Sequence, residues 1–194
     1  MNKFLLSSLL ACCVLSSINA EAPLQKQTVT LEKYTNQDNG YTIEYPSDWK
    51  KNEVPQLDLV LFSPSKGNDE TAHASLNIVS EKVGSEINLD KFYSESASNL
   101  ASALKDVQIE KTGLIELNGT PSKWMLYTHI MQGFKFQVLQ YFVVANDTIF
   151  LITFSSQAAH FDLYRQDFEN IANSFKVTNP KPLISTPVMH QKQK

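Results

Sequence analysis

Hydrophobic and polar residues alternate along much of this 194-residue chain, a pattern that predicts a protein built largely from β-strands. Residues 28–34 alternate in this way, and residues 41–45 do so again beyond Asn39 and Gly40. Because asparagine and glycine readily adopt positive φ, we expect a hairpin turn at that pair. Pro46 should end the second strand, since proline cannot donate a hydrogen bond to a β-ladder.

The next segments predict two more strands and then a helix. Residues 57–61 begin one strand, an exposed loop follows over residues 64–70, and residues 73–79 alternate again. The apolar spacing then lengthens from two residues to three or four, which indicates an amphipathic helix over residues 89–105. Asn88 stands at the start of this helix, where its side-chain oxygen suits an N-cap.

Four alternating segments in succession form the clearest part of the pattern: residues 107–117, 121–131, 134–145 and 148–155. Each break between them is short enough for a tight hairpin, and the breaks are Asn118-Gly119, Gln132-Gly133 and Asn146-Asp147. Strands joined so tightly must be antiparallel neighbours. The sequence therefore predicts a four-stranded antiparallel meander.

The third strand of the meander has two distinguishable faces. One face is apolar along its length and is expected to belong to the core: Phe134, Phe136, Val138, Phe142 and Val144. The opposite face becomes apolar only in its C-terminal half, at Leu139, Tyr141 and Val143. These three side chains need a cover, and if neither helix supplies it, a partner or an apolar ligand must. They are therefore candidate binding residues.

A final helix follows the meander, with apolar residues three and four positions apart that should lie on the sheet: Phe161, Tyr164, Phe168, Ile171, Ala172 and Phe175. Ser156 is available as the N-cap of this helix. The chain shows no internal repeat, so we expect one domain over residues 28–177. Residues 178–194 contain three prolines and are mostly polar at the end, which predicts a flexible tail.

Residues 40–50, with the sequence GYTIEYPSDWK, resemble the opening motif of PsbP-like and DcrB-like domains, in which a strand runs into a proline and then a tryptophan. The order of the later elements is also similar, and the resemblance covers about residues 28–177. It implies an α+β fold with a central antiparallel sheet flanked by two main helices. It also implies a role in binding rather than a reaction, because the family has no shared catalytic residues.

The first 20 residues have the composition of a secretory signal peptide. Lys3 precedes an apolar run that is shorter than a membrane-spanning helix requires, and Ala20 suits cleavage at its carboxyl side. Residues 21–27 would then be a spacer before the domain. A competing interpretation is a lipobox ending at Cys12, whose thiol would take lipid. We expect a periplasmic or secreted protein, and contact with a membrane only if Cys12 is lipidated.

Composition restricts the chemistry of the mature chain. Cys12 and Cys13 are the only cysteines, so cleavage after Ala20 leaves no thiol nucleophile, disulfide or cysteine metal site. Loss of Lys3 changes the net charge from −3 to −4, which argues against a nucleic-acid surface. The four histidines lack the short spacing of metal ligands, and no Gly-x-Ser-x-Gly motif is present. We predict no catalytic residue, no metal site and no cofactor.

Trp49 is the remaining candidate for a functional residue. It follows Pro46 at a strand end, where the ring either packs in the core or faces a partner, and core packing is favoured. The sequence therefore predicts a non-enzymatic accessory or binding protein of the cell envelope, whose partner is an envelope protein or complex. Two alternatives stay open: a chaperone or carrier that shields apolar segments, and a hydrolase with an unrecognised site.

Overall fold

The computed structural model describes residues 30–67, 73–84 and 87–178. The predicted signal peptide, lipobox and spacer lie outside these residues, as does the tail beyond Thr178. The described part of the chain contains two helices and ten strands, and the strands form two antiparallel sheets. None of these helices is both long and apolar enough to span a membrane.

A small sheet is built from three strands in the order β1–β2–β10, and their bounds are β1 (Leu31–Asn36), β2 (Tyr41–Pro46) and β10 (Lys176–Val177). A hairpin joins β1 to β2 as predicted, but its loop spans the four residues 37–40, since Asn36 pairs with Tyr41, and of the expected pair Asn39-Gly40 only Gly40 has a positive φ, of +69°. The strand β2 ends at Pro46, as predicted. The Pro46 carbonyl then accepts a hydrogen bond from the Trp49 N–H at 3.0 Å, which turns the chain away from the sheet.

A second sheet contains seven strands in the order β3–β4–β5–β9–β8–β7–β6. Their bounds are β3 (Lys50–Asn52), β4 (Leu59–Phe62), β5 (Ser75–Lys82), β6 (Lys105–Leu117), β7 (Thr120–Met131), β8 (Phe134–Ala145) and β9 (Thr148–Gln157). The last four in sequence are the predicted meander, and each is joined to the next by a two-residue turn. All six turn residues have positive φ, the backbone of type I′ turns that matches the twist of paired strands.

The smaller elements differ from the predictions in several places. The short β3 was not predicted, because its three residues are all polar and exposed and so show no alternation. The prediction that Ser156 caps the last helix is wrong. Ser156 lies inside β9, which continues to Gln157 because Gln157 pairs with Phe136, and His160 occupies the N-cap position.

The two helices are α1 (Leu89–Ala103) and α2 (Phe161–Ser174). The predicted cap of α1 is confirmed, since Asn88 Oδ1 accepts a hydrogen bond from the Lys91 N–H at 2.9 Å. This helix ends two residues before the predicted Lys105, which belongs to β6 instead. The helices cover opposite faces of the seven-stranded sheet, because the two core clusters they join contain alternate residues of the same strands.

The larger core cluster joins α2, the small sheet and one face of the seven-stranded sheet. The aromatic stripe of α2 lies on that face, as predicted, and five of its residues are buried: Phe161, Tyr164, Phe168, Ile171 and Ala172. The smaller cluster joins α1 to the opposite face and contains Met125, Tyr127, Val138 and Phe142. Burial of each large apolar side chain stabilises the fold by about 1.5–3 kcal/mol, so the α2 face contributes most of the core energy.

The expectation that the Phe134 face of β8 belongs to the core along its whole length is wrong. Phe134 is 49% exposed, because α1 covers this face only around Val138 and Phe142. Phe136 is buried through its stacking on His129, with ring centroids 5.9 Å apart. The face that the alternation pattern ranked second therefore carries the larger cluster.

Candidate functional site

The three predicted binding residues on β8 lie under α2. Leu139, Tyr141 and Val143 are all buried in the larger core cluster, so a helix supplies the cover that the pattern demanded. Val143 is fully enclosed. Leu139 and Tyr141, by contrast, also form part of the floor of a cleft. A direct role of these residues in binding stays a prediction.

This cleft, here called the α2–β6 cleft, lies between α2 and the end strand of the seven-stranded sheet. Its volume is about 340 Å³, and it is lined by Lys111, Ile115, Trp124, Leu126, Leu139, Tyr141, Arg165, Glu169 and Asn173. The strands β7 and β8 supply an apolar floor. Charged and amide side chains from β6 and α2 form the rim, so the cleft combines an apolar surface with polar groups at its border.

One asparagine holds the two walls of the cleft together. Asn118, at the turn between β6 and β7, donates hydrogen bonds from Nδ2 to the carbonyls of Asn173 and Phe175, both at 2.8 Å. The last carbonyls of a helix have no partner within the helix, so these bonds also satisfy the end of α2. Asn118 therefore has two roles: it forms the turn between β6 and β7, and it fixes the position of α2 relative to β6.

A glycine in β6 places the tryptophan of the cleft. Gly113 pairs with Trp124 across the two strands, and a Cβ atom on Gly113 would lie 2.6 Å from Trp124 Nε1. The indole can lie across the strand only because this position has no side chain. The ring remains partly exposed, and its N–H has no acceptor among the described residues.

Arg165, at the rim of the cleft, contacts neighbouring side chains of α2. The Arg165 guanidinium bonds to Asp162 Oδ1 at 2.9 Å and lies over the Phe161 ring at 5.0 Å.

Burial, with a smaller contribution from the Glu169 carboxylate, raises the pKa of Tyr141 to about 12. The Tyr141 phenol is therefore neutral at physiological pH and is suited to hydrogen bonding rather than to nucleophilic attack.

Trp49 lies beside a second cleft on the other side of α2, here called the Trp49 cleft. This cleft has a volume of about 240 Å³ and is lined by Leu31, Glu44, Pro46, Asp48, Trp49, Pro64, Lys66, Asp167, Asn170, Ile171 and Ser174. Trp49 itself is only 4% exposed and packs edge-on against Phe168, with ring centroids 6.2 Å apart. The core packing favoured for this tryptophan is present, and its binding role stays a prediction.

The histidines of the described ranges do not come together at one site. His73 is exposed, and His129 lies between the rings of Tyr127 and Phe136, away from both clefts. His190 lies outside the described residues. Within the described ranges, no group of three histidine, cysteine or acidic side chains is arranged to hold a metal ion.

Sequence reasoning missed the residues that give the α2–β6 cleft its form, Gly113, Trp124 and Asn118. The signal for the first two was available, because counting outward from the two-residue turn at Asn118 and Gly119 pairs Gly113 with Trp124. A strand glycine opposite a tryptophan indicates a ring that lies over the backbone. The bonds from Asn118 to α2 could not be found in this way, since the acceptors at Asn173 and Phe175 lie 55 and 57 residues after Asn118 in sequence.

Comparisons with known proteins agree with this architecture. The family model of PsbP-like proteins matches residues 15–177. The solution structure of cyanobacterial PsbP from Synechocystis sp. PCC 6803 is similar, with a TM-score of 0.59 and 17% identity over 81% of this chain and 98% of that one. A search among proteins with curated functions gives no match.

Two crystal structures from other bacteria share the fold. LpqN of Mycobacterium tuberculosis, described as involved in cell envelope biogenesis, has a TM-score of 0.58 and 13% identity over 78% of this chain and 92% of that one. PA94 of Pseudomonas aeruginosa, a protein of unknown function, has a TM-score of 0.58 and 14% identity over 78% and 99% of the two chains. At these identities the likeness concerns the fold alone.

Proposed function

This chain belongs to the PsbP-like protein family, and we propose that it is an exported, non-enzymatic accessory protein of the cell envelope that binds another envelope protein through the α2–β6 cleft. The N-terminal segment has the features of a secretory signal, which supports export. A protein of the same fold, LpqN, is described as involved in cell envelope biogenesis, which supports a role in that compartment.

The composition of the α2–β6 cleft is the observation that carries this proposal. Its floor includes Trp124, Leu126 and Tyr141, and aromatic side chains surrounded by a polar rim are typical of the centres of protein interfaces. The cleft lies on a rigid sheet and a tethered helix, so a partner would meet a surface that is already formed.

The ionisable groups of the cleft support binding over catalysis. Its charged side chains are Lys111, Arg165 and Glu169, and Arg165 is already paired with Asp162. The raised pKa of Tyr141 opposes formation of the phenolate that an attacking tyrosine needs. Among the described residues that line this cleft there is no serine, cysteine or threonine beside a base, as in the common hydrolases.

Site-specific photo-crosslinking in the native cells tests the proposal. A photoreactive phenylalanine analogue in place of Lys111 or Asn173 would face the cleft, and the same analogue in place of Glu95 or Ser98 would face solvent from α1. We expect the two cleft positions to give a discrete adduct with one folded envelope protein, and the two α1 positions to give none. The proposal is wrong if the cleft positions give no adduct, or the same adducts as α1.

A second candidate function, a chaperone or carrier of apolar segments, is supported by a different surface. Met131 and Phe134 are 46% and 49% exposed and pair with each other at the end of β7 and β8, beyond the residues that α1 covers. Such a patch is typical of surfaces that bind apolar chains. The analogue in place of Met131 would crosslink to many unfolded polypeptides if this function holds, whereas a single folded partner at the cleft favours the first proposal.

A further inference from the structure

The two edges of the seven-stranded sheet are protected to different degrees. The edge strand β3 has only three residues and carries Lys50 and Lys51, and short, lysine-bearing edges resist pairing with another chain. The opposite edge strand, β6, has 13 residues, and no described strand pairs with its outer side. In the described part of the chain, the sheet therefore has one short edge that resists pairing, β3, and one long edge without a paired neighbour, β6.

Only the second half of β6 is regular enough to accept another strand. Its pairing with β7 shifts between Lys105 and Gln108 and again between Ile109 and Lys111, and such bulges twist an edge away from a new neighbour. From Lys111 to Leu117 the register is continuous. This stretch is also the one that borders the α2–β6 cleft.

The turn geometry identifies the backbone groups that face outward. Leu117 and Thr120 close the two-residue turn, so their backbone N–H and C=O groups are directed at each other, between β6 and β7. Because backbone groups alternate in direction along an antiparallel strand, Thr112, Leu114 and Glu116 direct their N–H and C=O groups away from β7. Within residues 30–67, 73–84 and 87–178, none of these groups has a hydrogen-bond partner.

Side chains beside this edge are suited to contact with an added strand. Leu114 is 77% exposed, an unusual state for a leucine in the middle of a strand. On the other face, Trp124 lies across Gly113 with its indole N–H available. An aromatic ring, a leucine and unpaired backbone groups thus lie within one short stretch of surface.

We propose that β6 accepts an eighth strand: an extended segment of the envelope partner pairs with residues 111–117, and alternate side chains of that segment enter the α2–β6 cleft. This inference rests on the proposed function and specifies how the partner is bound. Main-chain hydrogen bonds supply the affinity in this mode of recognition, and the pockets for alternate side chains supply the specificity.

The cleft side of β6 also defines the chemistry of the partner segment. Side chains on one face of a strand lie about 7 Å apart, so successive partner residues on the cleft face meet Ile115, Gly113 and Lys111. The partner segment carries apolar side chains opposite Ile115 and Gly113 and a carboxylate opposite Lys111. A second copy of β6 would bring lysine, glycine, isoleucine and leucine to this face and no carboxylate, which favours a different protein as the occupant.

Peptide selection on the full chain tests the inference. A phage library of short random peptides is selected on the immobilised protein, and the enriched peptides are synthesised and titrated by fluorescence polarisation. We expect enriched peptides that alternate, with two apolar residues and one acidic residue on the same face. If no peptide is enriched, if the enriched peptides lack this alternation, or if the full chain pairs with itself through β6 in sedimentation experiments, the proposal is wrong.

Two substitutions at one position separate backbone pairing from side-chain contact. Leu114→Ala removes the exposed side chain and keeps the N–H, whereas Leu114→Pro removes both and leaves the bonds to β7 intact. We expect the proline variant to weaken peptide binding about tenfold or more and the alanine variant to weaken it about threefold or less. Equal affinities of the two variants would overturn the proposal.

A peptide-side experiment keeps the test valid if Leu114→Pro fails to fold. N-methylation of alternate peptide amides should abolish binding in one phase of the alternation and not in the other, and binding that tolerates both phases would contradict strand addition.

Crosslinking through the analogue at Lys111 distinguishes this inference from the function on which it rests. A partner adduct that is unchanged by Leu114→Pro would overturn strand addition alone, whereas the absence of any adduct in the unsubstituted background would overturn the proposed function as well.

Discussion

At the scale of single residues, the α2–β6 cleft depends on a position that has no side chain. Gly113 allows the Trp124 ring to lie over the strand, and this places an indole N–H beside the open edge of the sheet. Tryptophan is among the residue types that are enriched at the interface positions that dominate binding energy. The cleft thus obtains its largest aromatic surface from a glycine that would otherwise weaken a strand.

Gly113→Ala should displace the indole, because the new Cβ would lie 2.6–2.9 Å from three atoms of the ring. We expect a red shift of tryptophan emission as Trp124 moves towards water, and a loss of about 1 kcal/mol in the free energy of unfolding. Gly84→Ala is the matched control, since a Cβ there meets no atom of the described residues within 4 Å. An unchanged emission spectrum in Gly113→Ala would contradict the assigned position of the ring.

Tyr141 should make stability depend on alkaline pH. Its pKa of about 12 in the folded state exceeds the ordinary value of about 10, so its contribution is complete below about pH 10 and declines as the pH rises towards 12. Tyr141→Phe has no proton to lose at this position. Between about pH 9 and about pH 11, we expect the original chain to lose about 1 kcal/mol more unfolding free energy than this variant.

Urea titrations at the two pH values measure the difference. Tyr127, whose pKa burial also raises to about 12, is present in both proteins and cancels in the comparison. Equal losses in the two proteins would show that the Tyr141 phenol is not buried as described.

At the scale of elements, the turns could be predicted from the sequence, but what they contact could not. Each two-residue break in the meander is visible as a pair with residues that tolerate positive φ, and all three turns are confirmed. The bonds from Asn118 to the end of α2 depend on tertiary packing between distant segments. Similarly, the relative importance of the two faces of β8 depends on where the helices dock, which alternation alone does not encode.

Asn118→Gly should loosen α2 without disturbing the turn. Glycine adopts the positive φ of this position, so the main loss is the pair of 2.8 Å hydrogen bonds to Asn173 and Phe175. We expect the unfolding free energy to fall by about 1–2 kcal/mol and amide exchange to accelerate in the last turn of α2.

Gln132→Gly is the matched control for this substitution. Gln132 occupies the same turn position with a φ of +52° but lies exposed at the far end of the sheet. Its effect on stability should stay within about 0.5 kcal/mol. If Asn118→Gly lowers the unfolding free energy no more than Gln132→Gly does, the hydrogen bonds from Asn118 do not hold α2 in place.

At the scale of the whole molecule, the α+β architecture and the antiparallel meander follow from the alternation of residues, and the family resemblance supplies the arrangement of helices around a sheet. The division into two sheets could not be predicted, because β3 and β10 are short and show no usable pattern. The candidate site was found only in part. Leu139 and Tyr141 were identified from their apolar face, whereas the cleft above them exists because α2 covers that face incompletely.

The central claim, that a partner binds at the α2–β6 cleft, is tested most directly by charge reversal on its rim. The partner identified by crosslinking is purified and titrated calorimetrically against the full chain and against the double variant Lys111→Glu with Arg165→Glu, both positions being on the cleft. The control is Lys82→Glu with Lys91→Glu, at exposed positions outside it. We expect the cleft variant to bind at least about tenfold more weakly while the control binds as the original chain does. Equal affinity of the cleft variant and the original chain would contradict the claim.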